Sequence, residues 1–276
     1  PNRFASALSS GQTKTIALLL PQIYGPIFVW ISQCMYEIVH KEGYGLLTDR
    51  VAIGDWQGWP VDGAISFYVK AIKDFKQEQG ISNSLPTVNV DWVEVEGFDT
   101  VVIDLYKPAK SLMQYFIDSG RKNIAFLTSP DMTERDEPRF NAYLDVMEEN
   151  GIQPQTIFSE TYSREAVRKT ITEQFSGKGH PDTIFTTNDD LAIGIMRGLR
   201  DVGLKIPDDV WVAGCDGIPD GEYVEPRLST IAIPIQAACQ KAWDLLKARI
   251  EDQKSPCKIE TIDAKIVLRE STGNGI

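Results

Sequence analysis

The stretch Thr183–Thr230, TIFTTNDDLAIGIMRGLRDVGLKIPDDVWVAGCDGIPDGEYVEPRLST, decides how this chain folds. An apolar, β-branched opening gives way to the polar Thr187-Asn188-Asp189 and then to Leu191–Asp201, which reads as an amphipathic helix. Gly203 follows its last turn, where a residue without Cβ takes the left-handed conformation that ends a helix. Val210–Gly214 is the next buried strand, and the polar pair Asp216-Gly217 comes after it. A strand, a helix of this length and a second strand make a right-handed crossover between parallel strands.

The same unit recurs in both directions along the chain. Thr15–Leu20 reads as a buried strand, and Ile27–Lys41 places Ile27, Ile31, Met35 and Ile38 on one helical face before Gly43 and a strand at Tyr44–Leu47. Helix Ala109–Ser119 leads through Gly120 to strand Asn123–Leu127, and helix Phe140–Glu149 through Gly151 to Thr156–Phe158. Parallel sheets covered by helices on both faces are expected, so the fold class is α/β and doubly wound. At 276 residues the chain exceeds one usual α/β domain, which leaves one large domain or two lobes.

Composition narrows the function classes. A formal net charge of −11 lacks the basic footprint that phosphate backbones require, so the chain itself is not expected to hold nucleic acid tightly. Cys34, Cys215, Cys239 and Cys257 have no C-x-x-C spacing and read as reduced, mostly buried thiols of a cytoplasmic protein. His40 and His180, the two histidines, form no ligand-spaced cluster, and neither a metal nor a cofactor is expected. No apolar run approaches the roughly 18 residues of a membrane helix, and no membrane partner is expected. A P-loop, a G-x-S-x-G elbow, a dinucleotide glycine fingerprint and a catalytic Cys/His pair are all missing, so an enzyme is not expected.

Ligands of doubly wound sheets bind beyond the carboxyl ends of the strands. The residues there are Ile23-Tyr24-Gly25-Pro26, Thr48-Asp49-Arg50, Asp91-Trp92, Ser129–Arg139, Thr187-Asn188-Asp189 and Asp216-Gly217. Aromatic faces with Asp, Asn and Arg suit a polyhydroxylated ligand, because CH faces stack on rings while hydroxyls bridge to polar groups. Two alternatives stay open: Asp189 either caps the helix that follows or meets the ligand, and Arg139 either grips the ligand or pairs with Glu134 or Asp136.

The Thr183–Thr230 stretch resembles the LacI/GalR family of bacterial transcription regulators, whose pattern runs strand, Asn-Asp, helix, Gly, Pro-x-Asp-Val, strand, Gly-x-Asp and Pro-x-Leu-(Ser/Thr)-Thr. TIALLLP with the following GPIF, VDGAI at Val61–Ile65, LPTVNVD at Leu85–Asp91, SGRKNIAFL at Ser119–Leu127 and Arg139-x-x-Ala-Tyr143 extend the resemblance to the whole chain. It implies two Rossmann-like lobes joined by three crossover strands, with residues 14–104 and 233–260 in one lobe and 105–232 and 261–276 in the other. It also implies a sugar-like effector in the cleft between them, contacted by Tyr24, Phe28, Arg139, Asn188 and Asp216, with Asp49, Arg50, Asp91 and Trp92 in more variable loops.

Periplasmic sugar-binding proteins share this fold, so a transporter component is the alternative reading. Residues 1–13 favour the regulator, because Pro1-Asn2-Arg3-Phe4-Ala5-Ser6-Ala7-Leu8 resembles the family's hinge helix. By that resemblance Asn2 opens the helix, Ala5 packs on a dimer mate and Leu8 wedges into the DNA minor groove. The implied protein is a homodimer that meets operator DNA through a helix-turn-helix head outside this sequence. Three departures stand out: RVAIGDWQGWP is too short for the family's helix, so that Trp56 and Trp59 patch core or stack on ligand; Gly214-Cys215-Asp216-Gly217 lacks an aromatic and a second Asp; and Leu105-Tyr106 replaces an Asn-bearing turn.

Overall fold

The computed structural model describes residues 12–23, 25–50, 60–68, 85–130, 137–177 and 179–273. Two compact units divide the chain, unit 1 from residues up to 103 together with 234–262, and unit 2 from 104–233 together with the residues from 263 onward. The backbone therefore passes from one to the other at three points.

Unit 1 is built on a six-stranded sheet. Strands β1 (Thr15–Leu20), β2 (Gly45–Arg50), β3 (Gly63–Phe67), β4 (Thr87–Asp91) and β5 (Asp99–Asp104) are joined by β11 (Ile259–Asp263) in the order β11-β5-β4-β3-β1-β2. The pairings of β1 to β5 are parallel, with Leu20 opposite Arg50 and Phe67 opposite Val90. Ile16 to Leu20 are all buried, as a parallel strand covered on both faces requires. Helix α1 (Pro26–Lys41) starts with a proline in its first turn, where a missing N–H costs nothing, and buries Ile27, Ile31, Cys34, Met35, Ile38 and Val39. Gly43, at φ 80°, ends it, with Gly43 N–H on His40 C=O and Tyr44 N–H on Val39 C=O.

Unit 2 repeats the scheme. Its parallel strands β6 (Ile124–Thr128), β7 (Gln155–Phe158), β8 (Thr183–Thr186), β9 (Trp211–Asp216) and β10 (Ser229–Ala232) are edged by the antiparallel β12 (Lys265–Val267) in the order β12-β10-β9-β8-β6-β7. The helices are α2 (Tyr106–Asp118), α3 (Pro138–Glu149), α4 (Arg164–Gln174) and α5 (Asp189–Asp201). Leu191, Ile195 and Leu199 of α5 pack with Val167 and Ile171 of α4 over Ile184 and Val212 of the sheet. Each such buried aliphatic contributes about 1.5–3 kcal/mol.

In unit 1, α6 (Ile235–Glu251) carries a fully buried Trp243 edge-on to Tyr44, 5.0 Å between ring centroids. Arg249 forks onto Asp99 through Nε (2.6 Å) and Nη2 (3.0 Å), tying α6 to the start of β5. Both sheets follow the order second, first, third, fourth, fifth in their parallel strands, so each winding reverses between the first and third strand. In unit 1 the loops after β1 and β3 flank that reversal; in unit 2 those after β6 and β8 do.

Candidate functional site

At the carboxyl edge of unit 1 the side chains are mainly aromatic. Phe28 lies in the first turn of α1, its ring edge-on to Tyr68 with centroids 6.4 Å apart. Tyr68, one residue past β3, stacks on Trp92, one residue past β4, at 5.3 Å and 25°. The three half-buried rings thus form one continuous apolar platform. Tyr68 sits at φ 56°, a left-handed conformation that costs a side-chain-bearing residue about 1–2 kcal/mol.

Asp91 is the buried last residue of β4, and its Oδ1 accepts from Trp92 N–H at 2.8 Å, which fixes the turn that presents the indole. Asp49 and Arg50 belong to β2, not to a loop after it, a correction to the sequence expectation. Arg50 Nε donates to Pro21 C=O at 3.1 Å and so braces the loop after β1. Tyr24, Trp56, Trp59 and the hinge candidates Asn2, Ala5 and Leu8 lie outside the described residues.

The carboxyl edge of unit 2 is polar and charged. Glu137 caps α3 and accepts from Phe140 N–H at 2.7 Å, while its Oε1 receives Arg139 Nε at 2.5 Å. Arg139 Nη1 donates to the carbonyl of Thr187, so the guanidinium ties the first turn of α3 to the loop after β8. The two side chains are only 6% and 3% exposed, which makes this a buried ion pair; Glu134 and Asp136, the partners the sequence allowed, lie outside the described residues. Burial, the largest single influence, works against the Arg139 charge, but Glu137 together with Cys215, Tyr162 and Asp216 outweighs it and raises the proton affinity of the guanidinium.

Thr187 Oγ1 meets Tyr162 Oη at 2.8 Å, and Tyr162 Oη lies 3.5 Å from Thr128 Oγ1. Burial raises the Tyr162 phenol above its ordinary value, so it stays a neutral donor at pH 7. Ser129 Oγ is buried and makes no hydrogen bond among the described residues. Asn188 acts as the N-cap of α5, its Oδ1 accepting from Leu191 N–H at 2.8 Å. That commits its acceptor to the helix and leaves its amide donors for any ligand.

Because Asn188 caps α5, Asp189 does not fill that role, the first of the two its sequence position suggested. Its carboxylate receives Gly217 N–H (2.8 Å), Ile218 N–H (2.9 Å) and Thr230 Oγ1 (2.7 Å), all on the far side of the β9 turn. Burial pushes the Asp189 carboxyl up to about 7, with those three hydrogen bonds and Arg269 pulling the other way. Asp216, the last residue of β9, is also buried and raised well above the carboxylate range, first by burial and then by the charge of Asp189.

The structure brings Phe28 and Trp92 together in unit 1 through Tyr68, and Arg139 and Asn188 together in unit 2 through Thr187. Tyr68 and Tyr162 are the residues that sequence reasoning missed. Tyr68 follows a strand that reads plainly as VDGAI, so the rule of interrogating residues after strands could have found it. Tyr162 stands four residues past β7, and only its contact with Thr187 reveals it. Among the described residues, no group of three or more His, Cys, Asp or Glu side chains is placed to hold a metal ion. The four cysteines are free, with Cys257 exposed and the others buried. Chemically, unit 2 offers a fixed cation, hydroxyl groups and protonatable carboxyls; unit 1 offers ring faces. Such groups bind hydroxylated small molecules.

Residues 113–272 match the model of the periplasmic binding protein-like domain, and the chain belongs to that family. Over its whole length the chain is 24% identical to the HTH-type transcriptional repressor PurR of Proteus mirabilis, covering 84% of that protein. It is 25% identical, again over its whole length and 84% of the relative, to the ribose operon repressor of Halalkalibacterium halodurans. Among solved structures, a LacI family transcriptional regulator from Enterococcus faecium with bound ribose superposes with a TM-score of 0.81 at 24% identity, over 94% of this chain and 98% of that one. The reading of a LacI/GalR-type effector-binding core is borne out, and these relatives are named as regulators of transcription, not as enzymes. Among the described residues no helix is long and apolar enough to cross a membrane.

Proposed function

We propose that the chain is the effector-sensing core of a LacI/GalR-type transcriptional repressor whose effector is a sugar or sugar derivative. The observation that carries this reading is the whole-length similarity to two repressors, one of them a ribose operon repressor. The site geometry agrees in kind: rings at one carboxyl edge for CH faces, and Arg139, Tyr162, Ser129 and Asp216 at the other for hydroxyls. Asp49, Arg50 and Asp91 position these groups more than they meet ligand, because their polar atoms serve the backbone around them, while Asn188 keeps its amide donors for the ligand. Tyr24 completes the ligand set. In this reading the protein works in the cytoplasm as a homodimer, couples effector binding to operator binding and makes or breaks no bond.

A thermal-shift screen of pentoses, hexoses, disaccharides, sugar phosphates and purines tests it, with Asp216→Asn and Trp92→Ala as controls. A sugar is expected to raise the midpoint by several degrees in the wild type and by far less in both variants. A strong shift that survives both substitutions would overturn the site; a shift from purines alone would overturn the sugar assignment.

A further inference from the structure

Asp189 opens α5, yet Asn188 already caps that helix, so the Asp189 carboxylate is spared for another task. It reaches the turn after β9, where Oδ2 takes the consecutive N–H groups of Gly217 and Ile218 and Oδ1 takes the Thr230 hydroxyl. The surrounding chain is shaped to admit it. A Cβ on Gly214 would stand 2.3 Å from Asp189 Oδ1, so only glycine leaves room for the carboxylate beneath β9. Gly217, at φ +76°, has Ala232 where its own Cβ would fall, 2.7 Å away. Between them Asp216 is held at φ 118°, a backbone that a residue with a side chain adopts only when its surroundings impose it. Ile233 N–H holds the Asp216 carbonyl at 3.0 Å, and on the other side the bonds that begin one residue later end on Asp189.

We propose that Asp189 is the positioning residue that sets Asp216 before a ligand, a claim that rests on the reading of Asp216 as a ligand contact. The charged groups and titratable side chains facing the pair are Asp190, Cys215, Arg139 and Arg269. Arg139 and Arg269 favour the ionised forms and Asp190 opposes ionisation of Asp216. When Asp189 is ionised its bonds to the two amides are charge-assisted and roughly twice as strong as neutral ones. When it is protonated, the Thr230 hydroxyl turns round to accept, and the amide bonds weaken. The grip on the Asp216 turn therefore tightens as pH rises through neutrality.

The test follows the backbone amide signals of Gly217 and Ile218 by two-dimensional NMR from pH 5.5 to 8.5, without ligand, in the wild type and in Asp189→Asn. Both signals are expected to move together through one midpoint near 7 in the wild type and to stay flat in the variant. D-ribose affinity, measured calorimetrically, is expected to rise several-fold between pH 6 and 8 in the wild type and to lose that dependence in Asp189→Asn. If Asp189→Asn does not fold, Thr230→Val serves, since losing one bond to the charged form should shift the amide midpoint upward. Amide signals that do not titrate in the wild type, that still titrate in Asp189→Asn, or that keep their midpoint in Thr230→Val would overturn the proposal. Because the amides are read without sugar, their titration upholds the positioning role even where ribose does not bind, and only the sugar reading then falls.

Discussion

Units 1 and 2 wind their parallel strands in the same order, yet they furnish the same topological position with opposite chemistry. In unit 1 the residues past β3 and β4 are rings, Tyr68 on Trp92, with Phe28 beside them. In unit 2 the corresponding edge is a buried ion pair, a hydroxyl chain and two carboxyls, from Glu137–Arg139 through Thr187 and Tyr162 to Asp216 and Asp189. A ring at the end of a strand keeps its own shape and needs only support from one side. A buried charge must be satisfied on every side, so its neighbours become part of the fold as well as of the site. On the proposed reading the fold fixes where a ligand is met, while the residue types decide whether losing a site residue also costs stability.

The largest test of that difference is Arg139→Ala. It leaves Glu137 buried with its charge uncompensated and Thr187 C=O without its donor, and removing one partner of a buried pair costs about 3–5 kcal/mol. Urea unfolding should show the loss, and a variant within about 1 kcal/mol of wild type would mean that the pair is not a structural element of unit 2.

The second test is pH. The Asp189 carboxyl titrates at about 7 in the folded chain against 3.8 in the unfolded one, and Asp216 is shifted in the same direction. Between those values the native state holds more protons than the unfolded state, so stability falls as pH rises. The carboxyls held low by hydrogen bonds and neighbouring cations, Glu270, Asp201 and Asp104, act in the opposite sense but mainly below about pH 5. From pH 5 to 7 the loss from Asp189 alone should be about 2–3 kcal/mol, at about 1.4 kcal/mol per unit, and Asp216 adds to it. The stronger amide bonds to ionised Asp189 offset only part of the burial penalty. Denaturant midpoints that stay level or climb across this range would contradict the assignment.

The legibility of the sequence differs between the units for the same reason. Strand and helix periodicity, and the glycines that end α1, α2, α3 and α5 at positive φ, were readable because each is a local property. The positions of Phe28, Trp92, Arg139 and Asp216 at or just past element ends were readable, because those ends are local features as well. The partners were not: Thr187 lies 48 residues from Arg139 and Thr230 lies 41 from Asp189, and nothing in spacing joins them. Capping rules pointed to Asp189, one residue past the Asn188 that caps α5, since either side chain can accept from the first turn. Asp49 and Arg50 were placed one step too late because strand ends are set by pairing with β1, up to Leu20 opposite Arg50.

The smallest effect on the fold, and the sharpest on the comparison, belongs to Tyr68. Its φ of 56° means that most substitutions would mix a backbone penalty with the loss of the ring. Asn tolerates that conformation, so Tyr68→Asn removes the ring while keeping the turn. Because Trp92 is held by Asp91 and Phe28 by its helix, the platform loses its middle but not its ends. Stability should drop by about 1 kcal/mol or less, the scale of one aromatic pair. Affinity for whichever sugar stabilises the wild type should fall by about tenfold, the equivalent of about 1.4 kcal/mol. A stability loss approaching that of Arg139→Ala would place Tyr68 among the structural supports and erase the distinction between an aromatic edge that serves the ligand and a charged edge that serves both. Titrating that sugar into Tyr68→Asn and Arg139→Ala side by side, with unfolding curves for each, separates the two outcomes.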